Sequence, residues 1–77
     1  MPELPNVTGK QALAAFLLLG WQVDRIKGSH HIMHKEGCAP FPIPIKANRD
    51  LKPGTLRAMI RQSGITVDDF VKTLERL

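Results

Sequence analysis

Three histidines lie within five positions of one short segment, and they are the side chains in this sequence best suited to chemistry. The segment covers residues 27–35 and reads KGSHHIMHK. An imidazole can ligate a metal ion or transfer a proton near neutral pH. The segment therefore presents two candidate sites: a metal site built from His30, His31 and His34, or an acid–base site built on one of them.

The spacing of the histidines argues against a shared metal ion. Glycines on both sides leave the segment too short for a secure helix, so we predict a strand. On a strand His30 and His31 point to opposite faces, and His30 lies about 13 Å from His34. A zinc–nitrogen bond is about 2 Å long, so these pairs cannot reach one ion. Cys38, the only cysteine, has no CxxC or CxH partner. We predict no metal site and no cofactor.

Acid–base chemistry fits the segment better. If Gly28-Ser29 is a two-residue hairpin turn, Lys27 and His30 lie directly opposite each other, with Cβ atoms roughly 5 Å apart. Strict alternation would place Lys27 and His30 on one face together with Trp21, Val23, Arg25 and Ile32. An exposed histidine without a role is the competing interpretation. A Ser29 nucleophile is the weaker idea, since no aspartate is placed to orient the neighbouring ring.

The composition indicates a small folded protein with excess positive charge. The chain has 77 residues, of which 43% are hydrophobic, and its formal net charge is +4. A chain this short buries only roughly 60% of its unfolded surface, so we predict one domain over residues 1–77. The charge favours a polyanionic partner, and it also aids solubility.

Nothing in the sequence indicates a membrane protein. The longest apolar run, residues 12–19, is far shorter than the ~20 residues needed to cross a bilayer. The first ten residues lack a hydrophobic signal core. We expect a cytoplasmic protein with no membrane contact.

The first half of the chain predicts one helix followed by three strands. Thr8 and Gln11 form a capping box that begins a helix over about residues 9–19. Alternating apolar residues then predict strands over about residues 21–26, 30–34 and 41–46. Pro42 and Pro44 lack the N–H of a ladder bond, so the third strand should be a sheet edge.

The second half predicts two helices. Residues 47–50 are polar and read as a loop, after which Pro53 suits the first turn of a helix that Gly64 ends. Thr66 caps a third helix, whose apolar stripe runs to Leu77. The order α-β-β-β-α-α indicates an α+β fold with helices backing an antiparallel sheet.

Two motifs in this order resemble HicA-type toxins, the small messenger-RNA endoribonucleases of type II toxin–antitoxin systems. They are GSHH at residues 28–31 and LKPGTLR at residues 51–57. The similarity extends over nearly the whole chain, through LP at 4–5, GK at 9–10, LGW at 19–21 and QSGIT at 62–66.

The resemblance implies a fold, a catalytic residue and partners. The fold would be like that of a double-stranded-RNA-binding domain, with a three-stranded antiparallel sheet and helices on one face. The catalytic histidine of the family is the first after Gly-Ser, which corresponds to His30. A second family histidine often follows a proline in strand three, and here Lys46 occupies that place. The implied partners are messenger RNA and a cognate HicB-type antitoxin, with a monomeric free toxin.

The activity implied is metal-independent cleavage of messenger RNA, which would inhibit translation. RNA carries its own nucleophile, the 2′-hydroxyl, so acid–base catalysis by His30 can cleave it. Residues expected to support catalysis or hold phosphate are Lys27, Ser29, Lys46 and Arg25. Candidates for RNA binding are Lys10, Arg49, Lys52, Arg57 and Arg61. Two alternatives stay open for the same fold: a non-catalytic double-stranded-RNA-binding domain and a protein-interaction domain.

Overall fold

The α+β order predicted from the sequence is confirmed. The structure, a computed structural model, describes residues 4–46 and 49–77. A helix, a three-stranded antiparallel sheet and two further helices follow one another, as in the double-stranded-RNA-binding-domain-like fold. The elements are α1 (Gly9–Leu18), β1 (Gln22–Lys27), β2 (His30–His34), β3 (Phe41–Pro44), α2 (Pro53–Ser63) and α3 (Val67–Leu74).

The helix boundaries follow the predicted capping residues. The Thr8 hydroxyl accepts a hydrogen bond from the Gln11 N–H at 3.2 Å, and the Gln11 side chain accepts one from the Thr8 N–H at 2.9 Å. The Thr66 hydroxyl caps α3 by accepting a hydrogen bond from the Asp69 N–H at 3.1 Å, and Gly64 ends α2 at a φ of 79°. Within the described residues, no helix is long and apolar enough to cross a membrane.

The sheet has the order β1-β2-β3, with β1 and β3 at its edges. The edge position of β3 confirms the interpretation of its prolines. Lys27 lies directly opposite His30, so residues 28 and 29 form the predicted two-residue turn. The strand β3 ends at Pro44, two residues earlier than predicted, because β2 begins at His30 and offers no further strand residue for pairing. Of the predicted loop 47–50, residues 47 and 48 lie outside the described part of the chain.

Phe16 joins the helices to the sheet at the centre of the core. It is fully buried, and its ring centroid lies 5.1 Å from that of Phe41 on β3 and 5.3 Å from that of Phe70 on α3. Trp21, just before β1, packs edge-on against both Phe16 and Phe41. One aromatic cluster therefore orients α1, α3 and the sheet relative to one another.

A β-bulge in β1 contradicts the prediction of a single face shared by Trp21, Val23, Arg25, Lys27, His30 and Ile32, although Trp21 is buried as predicted. Val23 pairs with Met33 whereas Arg25 pairs with Ile32, so Asp24 is an extra residue that breaks the alternation. Val23 consequently shares the helix-covered side of the sheet with the buried Met33, although it stays 37% exposed at the sheet edge. The opposite side, which we call the open face, carries Arg25, Lys27, His30 and Ile32.

The first residue of α1 packs tightly on the end of β3. A Cβ atom added to Gly9 would clash with the Pro44 carbonyl oxygen and would lie 3.1 Å from the Ile45 Cα atom. Main-chain atoms cannot move aside as a flexible side chain does. Only glycine therefore allows α1 to approach β3 this closely.

Replacing Gly9 with alanine is expected to lower the free energy of unfolding by about 1–3 kcal/mol, because the added methyl group overpacks the contact with β3. Gly54 in α2 is the matched control. A Cβ added there meets nothing within 4 Å, so Gly54→Ala should be neutral or stabilising by about 0.4–1 kcal/mol. Urea unfolding followed by Trp21 fluorescence measures both changes. Equal changes in the two variants would contradict the close packing at Gly9.

Candidate functional site

His30 lies exposed on the open face at the first position of β2. Its neighbours across the sheet are Lys27 on β1 and Pro44 on β3. The Cα atoms of directly opposite residues lie about 4.5–5.5 Å apart, so the Lys27 ammonium can reach the imidazole or a group bound to it. The site is therefore an accessible imidazole with a cation beside it.

The turn that carries His30 is held on both sides. Gly28 adopts a φ of 56°, a conformation that side chains disfavour, and this allows the tight reversal from β1 to β2. The Ser29 carbonyl oxygen accepts a hydrogen bond of 2.6 Å from the Ile45 N–H, just beyond the end of β3. Backbone contacts thus fix the position of His30 relative to β3, while the Ser29 residue remains exposed.

His31 points to the other side of the sheet and differs from His30 in its surroundings. It is half-buried, and its partners across the sheet are Ile26 and Ile43. Its Nδ1 atom is buried and has no hydrogen-bond partner among the described residues. His34 is exposed at the far end of β2. The predicted separation of the three histidines is therefore borne out by the strand.

The described residues contain no group of three or more His, Cys, Asp or Glu side chains that could hold a metal ion.

An open-sided cavity of about 290 Å³ lies beyond the end of β3, beside the pairing partner of His30. Three of its lining residues are cationic and one is acidic. We call it the basic cavity, and its lining residues are Pro44, Lys46, Arg49, Asp50, Leu51, Lys52 and Thr55. Pro44 belongs both to the cavity wall and to the strand pair that carries His30.

Main-chain hydrogen bonds hold the wall of the basic cavity. The Leu51 N–H donates to the Val7 carbonyl at 2.7 Å, and Asp50 forms an isolated β-bridge with Thr8. The Arg49 N–H donates to the Lys46 carbonyl at 3.2 Å. The segment before α2 is thus tied to the segment before α1.

The remaining predicted cations lie outside the basic cavity. Lys10 is exposed in the first turn of α1, next to the Gly9 contact with β3. Arg57 and Arg61 are exposed on α2. Arg25 lies on the open face with its Nε atom 3.5 Å from an Asp24 carboxylate oxygen, so a neighbouring negative charge partly offsets it.

Neither of the two ion pairs found within the described residues involves a cation of the basic cavity, where Asp50 is an acidic lining residue. They are Arg25 with Asp24 and Lys72 with Asp68. The latter lies on α3, where the hydrogen bond and charge of Asp68 raise the pKa of Lys72 above its ordinary value. The three cavity cations are therefore available to an anionic ligand.

Sequence reasoning found the cations of this cavity but not the cavity itself. Lys46, Arg49 and Lys52 were candidates as separate charges, whereas Leu51 and Thr55 carried no signal for a binding site. The position of Pro53 could have indicated that the three cations cluster, because residues shortly before the start of a helix lie near that end of the helix. The element that forms the opposite wall of the cavity depends on the fold.

The comparisons with known proteins agree with this architecture. A family model described as the HicA toxin of bacterial toxin-antitoxin matches residues 9–65 of the 77-residue chain. The match begins at the first residue of α1 and ends shortly before α3, so it contains the whole sheet, α2 and the basic cavity. A search of curated proteins and a search of solved structures found no match.

The two adjacent histidines should differ in their contribution to stability. His31→Ala is expected to lower the free energy of unfolding by about 1–2 kcal/mol, because it removes a half-buried ring from the helix-covered side. His30→Ala should change it by less than about 0.5 kcal/mol, since the side chain is exposed. His31→Leu should be nearly neutral, because it keeps the volume and removes the unpaired Nδ1 atom. Urea unfolding tests this assignment, and equal losses in both alanine variants would contradict it.

Proposed function

The chain belongs to the HicA toxin family of bacterial toxin–antitoxin systems, and we propose that it acts as a metal-independent endoribonuclease on messenger RNA. As the toxin of such a system it has a cognate antitoxin as partner. Cleavage of messenger RNA would inhibit translation, and the free toxin would act as a monomer.

The observation that carries the proposal is the placement of His30. It is exposed on the open face, lies opposite Lys27, and has the basic cavity directly beyond its other neighbour, Pro44. An RNA strand on this surface would meet a proton-transfer group and positive charge together. Exposed single-stranded RNA is the natural target, because its 2′-hydroxyl and phosphate can reach a shallow site.

His30 is the acid–base residue in the proposed reaction. Its neutral imidazole takes the proton of a 2′-hydroxyl while the 2′-oxygen bonds to the adjacent phosphorus. The bond from phosphorus to the 5′-oxygen then breaks, and the leaving oxygen is protonated by the imidazolium or by water. The products are a 2′,3′-cyclic phosphate and a 5′-hydroxyl end.

Charge on the phosphorane needs cations that are already in place. Lys27, opposite His30, is the nearest candidate by strand register. Lys46, beyond β3, contributes from the side of the basic cavity, and Arg25 contributes more weakly because of Asp24. Ser29 acts through its backbone, which holds the turn.

Replacing His30 with alanine should abolish most cleavage of single-stranded transcripts in the presence of EDTA. General acid–base catalysis is worth about 10²–10⁴-fold, and the exposed side chain contributes little to folding. The assay measures initial rates and the chemical nature of the new ends with purified protein. His34→Ala is the control, because it removes another exposed histidine of β2 and should retain wild-type activity.

The cleavage assay, combined with measurements of RNA binding and antitoxin binding, separates the other functions that this fold supports. Wild-type protein that binds RNA but leaves transcripts intact would indicate a non-catalytic RNA-binding domain. Protein that binds its antitoxin without salt-sensitive affinity for RNA would indicate an interaction module. A His30→Ala variant that folds and cleaves at the wild-type rate would refute the assignment of the catalytic residue.

Expression in growing bacteria should arrest growth, because loss of messenger RNA stops protein synthesis. Coexpression of the cognate antitoxin should restore growth, and His30→Ala should not arrest it at equal protein level. Colony counts and immunoblots measure both. Arrest by the His30→Ala variant would show that toxicity does not depend on this residue.

A further inference from the structure

The basic cavity carries an inference about how RNA is held, and it rests on the proposed function for the identity of the ligand. We propose that this cavity binds the backbone phosphate next to the phosphate that is cleaved, and that it thereby sets the position of the RNA chain across His30.

The charge balance of the cavity favours a phosphate. Lys46, Arg49 and Lys52 line it, and among the described residues Asp50 is the single acidic one in the lining. No ion pair found within the described residues joins these three cations to a carboxylate. Flexible cationic side chains converging on one space suit an anion whose charge is spread over several oxygens.

The size and shape of the cavity favour one phosphate of a longer chain. A volume of about 290 Å³ exceeds the needs of a single phosphate group and leaves room for an attached ribose. One side is open, so a polynucleotide can enter and leave without being enclosed. The apolar lining residues Pro44 and Leu51 offer a surface for the sugar.

The position of the cavity relates it to the reacting phosphate. Pro44 lines the cavity and is also the direct neighbour of His30 across the sheet. The hydrogen bond from the Ile45 N–H to the Ser29 carbonyl holds the His30 turn against the same end of β3. An RNA chain with one phosphate beside His30 and Lys27 can therefore place a neighbouring phosphate in the cavity.

The cavity should hold its shape when empty, because main-chain contacts build its wall. The Leu51 N–H is bonded to the Val7 carbonyl, and Gly9 packs on the chain at Pro44 and Ile45. A preformed site needs little ordering of its own residues on binding, so the conformational cost of binding a flexible RNA chain is smaller. This distinguishes the cavity from isolated surface cations such as Arg57 and Arg61.

The test compares two double variants that each remove two exposed positive charges. Arg49→Gln with Lys52→Gln alters the cavity and leaves Lys46 in place, and Arg57→Gln with Arg61→Gln alters the face of α2 outside it. The ligand is a fluorescent 2′-O-methyl RNA of twelve nucleotides, which lacks the nucleophilic hydroxyl. Binding is measured by anisotropy at several salt concentrations, after thermal unfolding has shown that both variants are folded.

The cavity variant should bind about tenfold more weakly than the α2 variant, as expected for loss of one charge-assisted contact. The slope of its log affinity against log salt concentration should be shallower than that of the α2 variant by about 0.7, the value for one phosphate contact to a single strand. Equal losses in the two variants, wild-type affinity in the cavity variant, or no binding by the wild-type protein would each overturn the inference.

Cleavage of ordinary RNA separates this inference from the proposed function. The cavity variant should show a raised KM with a smaller change in kcat, because the cavity positions the chain without taking part in proton transfer. Wild-type KM and affinity in an active cavity variant would overturn the inference and leave the nuclease assignment intact. An inactive wild-type protein would remove the nuclease assignment, and the binding comparison would still decide whether the cavity holds phosphate.

Discussion

The close packing of α1 on the end of β3 is the contact on which the candidate site depends. Gly9 meets the main chain at Pro44 and Ile45, and the Ile45 N–H then bonds to the turn before His30. The same end of β3 forms one wall of the basic cavity. A single stretch of backbone thus connects the first helix, the histidine turn and the cations before α2.

The two adjacent histidines show how a strand divides one sequence motif between two environments. His30 faces solvent on the open face, where a ligand can reach it. His31 faces the helix-covered side, next to Ile43, with an unpaired Nδ1 atom. Only the former combines exposure with a neighbouring cation, and this is why we assign the proton-transfer role to it.

The positive charge is unevenly distributed over the surface of the protein. A net charge of +4 on a small chain attracts polyanions in general, but it does not by itself make a site. Three cations around one cavity concentrate that charge at one end of the sheet. On α3, by contrast, Lys72 is paired with Asp68.

Local signals in the sequence determined most of the fold. The capping box at Thr8, the two-residue turn before His30 and the prolines of β3 each act over a few residues, so short patterns predict them. The family resemblance added His30 as the catalytic candidate, and the family match supports the resemblance without testing that residue. The bulge at Asp24 escaped prediction because a bulge depends on the partner strand and leaves no reliable mark in its own sequence.

The tertiary structure alone decided which distant residues meet. Pro44 and Lys52 come together because α1 packs on β3 and the chain before α2 pairs with the segment at Val7 and Thr8. Packing of this kind depends on the shapes and contacts of whole elements, and residue spacing along the chain does not encode it. The sequence by itself therefore determined the helices, the strands and the reactive side chains, while the tertiary structure determined the cavity beside them.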